Sequence, residues 1–159
     1  MRLRRLSSTA WELQDIHPLF AGLLAELPRT ASRHKKSHAR LYPDPLPRGS
    51  RDPLRRDWRE LVHPELQQLF AGSREIVQRD LDPLGANSQG TSLSIPTANF
   101  DAWLNALNQA RLILVDENRF TEQDLEQREP PDLATRRGVA LLKVHFYAHL
   151  QELLLEASS

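Results

Sequence analysis

The stretch Thr97–Val115, TANFDAWLNALNQARLILV, decides the fold. Phe100, Trp103, Leu104, Leu107, Ala110, Arg111 and Leu114 recur at spacings of three and four. At about 3.6 residues per turn, that rhythm lays them along one stripe of a helix. Asp101, Asn105 and Asn108 gather on another face. Pro96 marks the entrance, because proline has no N–H to give to a ladder or a helix interior, and Thr97 suits an N-cap. The expectation is an amphipathic helix that buries a Trp-rich face and ends near Asn118. Arg111 lies at the edge of the apolar stripe, where a buried guanidinium needs a partner.

Outward from this helix the same period recurs. Ile16, Leu19, Phe20, Leu23, Leu24 and Leu27 share a face over Asp15–Leu27, with Pro18 in the first turn and Pro28 as the stop. Pro64 opens a second helix to about Leu81, with Leu66, Leu69, Phe70, Ile76, Val77 and Leu81 inward. Thr121 begins a short helical segment that Pro130 and Pro131 stop. Asp132 caps a last helix running to about Ala157. Its main stripe is Val139, Leu142, Phe146, Leu150 and Leu153, and Leu141, Val144, Ala148, Leu154 and Leu155 carry apolar character further round. Such a helix is either central or part of a subunit interface. Through Val144, Ala148 and Leu155 it offers a surface for a homodimer.

Less regular stretches separate these helices. Residues 1–10 read as a basic N-terminal arm, either a short strand or extended chain. Residues 29–57 read as a long basic loop, because Pro43, Pro45, Pro47 and Pro53 interrupt any helical period. Trp58–Val62 reads as a short strand or turn, and Ser92–Ile95 as one extended segment. The expected fold class is all-α or nearly so: a single helical-bundle-like domain over residues 1–159, with a long basic Pro-rich loop.

The 159 residues suffice for one ordinary core. A hydrophobic share of 40% and a charged share of 26% belong to a globular chain. Net charge is zero, yet residues 1–60 carry 13 Lys or Arg against 7 Asp or Glu, and residues 61–159 carry 8 against 14. The two parts are therefore of opposite charge. Cysteine is absent. That excludes a disulfide framework, a thiolate metal site and a catalytic thiol, and it fits a cytoplasmic protein. No apolar run approaches the ~18 residues that span a bilayer. MRLRRLSST has no apolar stretch behind its basic residues, so it is not read as a signal peptide.

Three constellations carry chemical interest. His145 and His149 stand four apart on the last helix, with Glu152 and Glu156 one and two turns on. Two imidazoles and a carboxylate at that spacing can share a metal ion. Phe146 stands where a zinc-protease motif requires Glu, and a solvated helix rim explains the same residues. A metal-dependent enzyme using His145 and His149 is thus the third functional reading. The basic stretch holds Arg33, Lys35, Lys36, Arg40, Arg51, Arg55 and Arg56, with Tyr42 and Trp58 available for stacking on bases. Nucleic-acid binding through this basic half is the alternative. The same charges also serve as a loop answering the acidic part of the chain. Arg111 either grips a ligand carboxylate or phosphate or ties the loop to the core through Asp44 or Asp52. No phosphate-loop, nucleophile-elbow or calcium-loop pattern occurs, and no cofactor is expected.

Several segments together resemble a small bacterial family known as domain of unknown function 2017. Arg40, Leu41, Tyr42, Pro43 and Asp44 match its Arg-Leu-aromatic-Pro-Asp segment, and Asp57 to Leu61 its acid-and-Arg segment before a Leu-rich helix. Trp103, Leu104, Leu107, Asn108, Arg111 and Leu112 match its Trp-Leu-x-x-Leu-Asn-x-x-Arg-Leu hallmark, and Leu150 to Leu153 its closing Leu-Gln-Glu-Leu. The family usually continues with Leu-Gly after that Arg-Leu, where this chain has Leu114, Val115 and Asp116. The resemblance implies a mostly helical domain with no assigned activity. It also singles out Trp103, Asn108, Arg111, Arg40, Tyr42 and Asp44 as functional or structural positions. Members often lie beside the gene for the adaptor of the Clp protease, which implies a regulatory or protein-quality role. The function expected is therefore a non-enzymatic, regulatory protein–protein interaction, with a protein partner or a second copy and no membrane.

Overall fold

In a computed structural model, the structure describes residues 1–33, 41, 46–86 and 91–159. The chain is mostly helical, as expected, and a small three-stranded antiparallel sheet makes it less than strictly all-α. Strand β1 is Arg2–Arg5 and β2 is Ala10–Gln14; helix α1, Pro18–Ser32, follows. Helix α2 is Asp52–Asp57 and α3 is His63–Ala86, with a π-helical turn, Trp58–Val62, between them. Strand β3, Leu93–Pro96, leads through the 3-10 turn Thr97–Asn99 into α4, Phe100–Asn118. Helices α5, Glu122–Glu126, and α6, Arg136–Ser158, complete the order.

The sheet order is β1-β2-β3. Leu3 lies opposite Leu13, and Leu13 opposite Leu93; Trp11 lies opposite Ile95. Alternate residues of a strand share a face, so this register collects Leu3, Trp11, Leu13, Leu93 and Ile95 on the core side. Leu13 and Ile95 are fully buried there. The helix expected from Asp15 begins later, at Pro18. Asp15 instead takes the left-handed conformation, φ 55°, at the exit from β2, and Ile16 N donates to Thr91 O at 2.8 Å. Aspartate is among the few side chains that tolerate that region.

Helix α4 is the hub, packed by α6 on one side, α3 on another and α1 on a third. Its Trp103, Ala106, Leu107, Ala110 and Ile113 are fully buried. Helix α6 resolves its apolar second side within one chain. Val144 is buried, Phe146 stacks on Phe20 of α1 at 4.7 Å, and the Tyr147 hydroxyl donates to Leu23 O at 2.7 Å. Of the three residues expected to line a homodimer, Val144 is thus part of the chain's own core. Ala148 is half-buried, and Leu155 stays 53% exposed.

Helical structure runs on past two prolines expected at helix boundaries. Pro28 does not stop α1, which continues to Ser32. Proline removes one backbone bond inside a helix, but Pro28 is buried, as are Thr30 and Ala31 beyond it. That burial holds the last turn. Pro64 does lie in the first turn of α3, as expected, but helical structure begins before it. It lacks the N–H that a regular helix would give to Glu60 O, and here the chain widens into the π-turn, with His63 N donating to Trp58 O. The strand or turn expected at Trp58–Val62 is therefore helical, and Asp52 to Ala86 runs as one helical course. The loop expected over residues 29–57 is shortened at both ends, to Ser32 by α1 and from Asp52 by α2. Residues 34–40 and 42–45 of it lie outside the described residues. Leu41 is buried in a small cluster with Ile113, flanked by Leu66, Phe70 and Leu112.

Candidate functional site

Helix α4 carries the positions that the hallmark motif singled out, and Trp103 and Arg111 among them have partners within the chain. Trp103 is fully buried, and its indole N–H donates to Asp80 Oδ2 at 2.8 Å. Asn99 Nδ2 donates to the same carboxylate at 3.0 Å. One turn and more along the seam with α3, Arg74 Nη1 donates to the buried Gln109 Oε1 at 2.9 Å. Asn108 is exposed. Arg111 turns toward α6, where it donates through Nη1 to Gln151 Oε1. Gln151 Nε2 in turn donates to Leu104 O at 3.3 Å. Burial pushes the Arg111 guanidinium down from its ordinary pKa, and nearby Glu152 works the other way. Arg111 thus ties α4 to α6. Asp52, one of its two expected loop partners, is exposed on α2, and the other, Asp44, lies outside the described residues.

The basic stretch is divided. Arg33, at the end of α1, reaches Glu117 of α4 through Nη2 at 3.6 Å. Arg51, Arg55 and Arg56 lie on α2 or at its start, where Arg55 Nη2 donates to Pro47 O at 3.1 Å. Lys35, Lys36, Arg40 and Tyr42 lie outside the described residues. The two candidate metal ligands also part company. His145 Nε2 lies 3.1 Å from Leu125 O, and His149 Nδ1 lies 4.0 Å from Glu152 Oε2 in an exposed pair. Among the described residues no three His, Asp or Glu side chains are grouped to hold a metal ion.

An open concavity lies where the ends of α1 and α4 meet the start of α6. This open groove of about 740 Å³ is lined by Arg33, Glu117, Arg136 and Lys143, with Leu114, Leu133, Val139 and Ala140 as its apolar surface. The geometry has local causes. Thr135 caps α6 by accepting from Gly138 N at 2.9 Å, and Thr135 N donates to Asp132 O at 3.2 Å. A Cβ at Gly138 would stand 1.8 Å from Asp132 O, so only glycine lets the incoming chain cross this closely. Lys143 lies one turn and more further along α6 and pairs with Glu26 of α1. Arg33 and Lys143 therefore both join positively charged side chains to acids on a neighbouring helix. Arg136 is exposed and has no ion-pair partner among the described residues.

Of these groove residues the sequence marks Arg33 alone as a candidate for function, and Leu114 and Val139 only as members of apolar stripes. Glu117 and Lys143 look like ordinary solvated helix charges until α1, α4 and α6 are assembled. Arg136 did leave a trace: Thr135-Arg136-Arg137 places cations in a first helical turn, where acids are favoured by the backbone dipole. Among the described residues no helix is long and apolar enough to cross a membrane. A family model described as a domain of unknown function, DUF2017, matches residues 3–158. No curated protein and no solved structure matches the chain.

Proposed function

We propose that this chain, which belongs to the DUF2017 family, is a non-enzymatic regulatory protein of the cytoplasm that works by binding another protein. One observation carries the reading. The helical course from Asp52 to Val62 contains no buried residue, although Leu54, Trp58, Leu61 and Val62 make up much of it. Leu54 is 52% exposed and Leu61 66% exposed, and Leu69 on α3 is exposed as well. Burying one leucine fully contributes about 1.5–3 kcal/mol, and these leucines, about half exposed or more, leave a large part of it unused within the chain. A partner that lays an apolar groove over an amphipathic helix would collect it, with anchors at helical spacings. A second copy is one form such a partner can take, and Leu155 adds an exposed apolar site on α6.

The alternative, nucleic-acid binding, draws support from the same segment, which exposes Arg51, Arg56 and Arg59. One experiment separates the two. Tagged wild-type protein and the double variant Leu54→Gln/Leu61→Gln are used for capture from native-host extract, with and without nuclease, and bound proteins are quantified by mass spectrometry. The interaction reading expects a protein that survives nuclease and is lost with the double variant. Identical capture by both proteins would sink it. Capture that vanishes with nuclease would favour the alternative.

A further inference from the structure

The groove between α1, α4 and α6 has a charge and shape that the apolar segment 52–69 does not explain. Three cations, Arg33, Arg136 and Lys143, line it with one acid, Glu117; Glu117 and Glu26 pair with two of the cations, and Arg136 is left over. We propose that this groove is a second recognition site and takes an acidic peptide segment of the partner, one that sets carboxylates beside an apolar side chain. The inference rests on the interaction reading above and names the chemistry of what is recognised.

Charge complementarity selects the occupant. Arg136 projects from the groove wall without a counter-ion among the described residues. Arg33 meets its own acid only at 3.6 Å, with its side chain 47% exposed. A guanidinium held so loosely can exchange one carboxylate for another, and arginine presents two parallel N–H groups to a carboxylate. Lys143 is more enclosed, at 15% exposure, and is fixed by Glu26. Its charge is thus already balanced, and it holds the groove wall to α1. Leu133, half exposed, and Val139 and Ala140 provide the apolar strip beside these cations. An open groove of this size suits a short segment of chain with one apolar side chain laid inward.

The position of Arg136 strengthens the case. The first turn of α6 contains no acid, although an acid there would stabilise the helix. The chain instead places a cation where the helix gains least from it and the groove gains most. This also makes the test clean. Arg136→Glu should leave α6 intact or firmer, so lost binding cannot be lost folding.

The test uses the 159-residue chain and a fluorescein-labelled peptide of alternating Glu and Leu, read by anisotropy at low salt. Control peptides carry Gln for Glu, or Ser for Leu. The Glu–Leu peptide should bind about tenfold or more tightly than either control, and Arg136→Glu should weaken it by a similar factor. The thermal midpoint of Arg136→Glu should equal or exceed that of the wild type. The double variant Leu54→Gln/Leu61→Gln should bind the peptide as the wild type does. Equal binding by wild type and Arg136→Glu would overturn the proposal. So would loss of peptide binding in the double leucine variant alone, which would put the peptide on the helical course. If the Ser-containing peptide binds as well as the Glu–Leu peptide, and inorganic phosphate at millimolar concentration displaces both, the groove is a simple anion site and the peptide assignment falls. Failure here leaves the capture experiment untouched, because that experiment changes Leu54 and Leu61 only.

Discussion

Two helical regions of this molecule use similar residues to opposite ends. In α4, Trp103 and Leu107 are fully buried and the helix is enclosed by three others. In the course from Asp52 to Val62, Trp58, Leu54 and Leu61 stand beside one another with nothing buried. Helical propensity does not distinguish the two. What distinguishes them is whether the apolar stripe meets a facing element. An apolar residue reports the need for burial, and only the assembled chain shows whether that need has been met. Where it has not, the surface is a place to look for a partner.

The comparison breaks first, if it breaks, at Trp103. Replacement by alanine removes a fully buried indole and leaves a cavity, which costs about 3–5 kcal/mol. It also strips Asp80 of an N–H donor, and a carboxylate losing its partner adds to the loss. Urea unfolding of Trp103→Ala, followed by circular dichroism, should therefore show a large drop in midpoint or an unfolded chain. A loss below about 1 kcal/mol would mean that α4 is not the hub.

Much of that hub was legible because long helices repeat their signal. Phe100 to Leu114 gives four turns of evidence for one face, and α6 gives more. Strand β2 was not legible. Its five residues offer only Trp11 and Leu13 as an alternating pair, and β3, which completes its pairing, lies some eighty positions away. The stop expected at Pro28 and the helical continuity across Pro64 differ from the sequence expectation for another reason. A local backbone penalty of a few kcal/mol is outweighed when burial or a widened turn is available, and neither can be seen locally. The groove was the least legible feature. Arg33 stood out as part of a basic stretch, but its company with Arg136 and Lys143 depends on how three helix ends converge. Arg111 was rightly marked as needing a partner. The partner, Gln151, is uncharged and forty residues away, so no charge pattern could have named it.

A second measurement sharpens the buried side of the comparison through pH. Burial holds the Tyr147 hydroxyl well above its ordinary pKa of about 10, and Glu26 raises it further, with Thr30 and Arg33 opposing. In the unfolded chain the phenol ionises first, so above pH ~10 the unfolded state binds fewer protons than the folded one. Stability is therefore complete below that pH and falls as pH rises toward the folded-state value. Tyr147→Phe should lose about 1 kcal/mol at neutral pH through the missing bond to Leu23 O. It should also show a shallower alkaline fall than the wild type. Parallel curves for the two proteins would mean that Tyr147 is not held neutral in the core.

The smallest expected effect is the one that tests the exposed side. Leu61→Gln removes an apolar side chain that is 66% exposed on a segment with no buried residue. Substitutions at such places usually change stability by less than about 0.5 kcal/mol. Glutamine is also a good helix former, so the local helix should persist. The unfolding midpoint should therefore match that of the wild type, in contrast with Trp103→Ala. That near-silence would be informative. Under the interaction reading, a leucine without a stabilising role in its own chain is free to serve a partner. If Leu61→Gln instead destabilised the isolated chain by 2 kcal/mol or more, on the order of a buried leucine's loss, the segment would be packed within the chain. The interaction reading would then lose the observation that carries it.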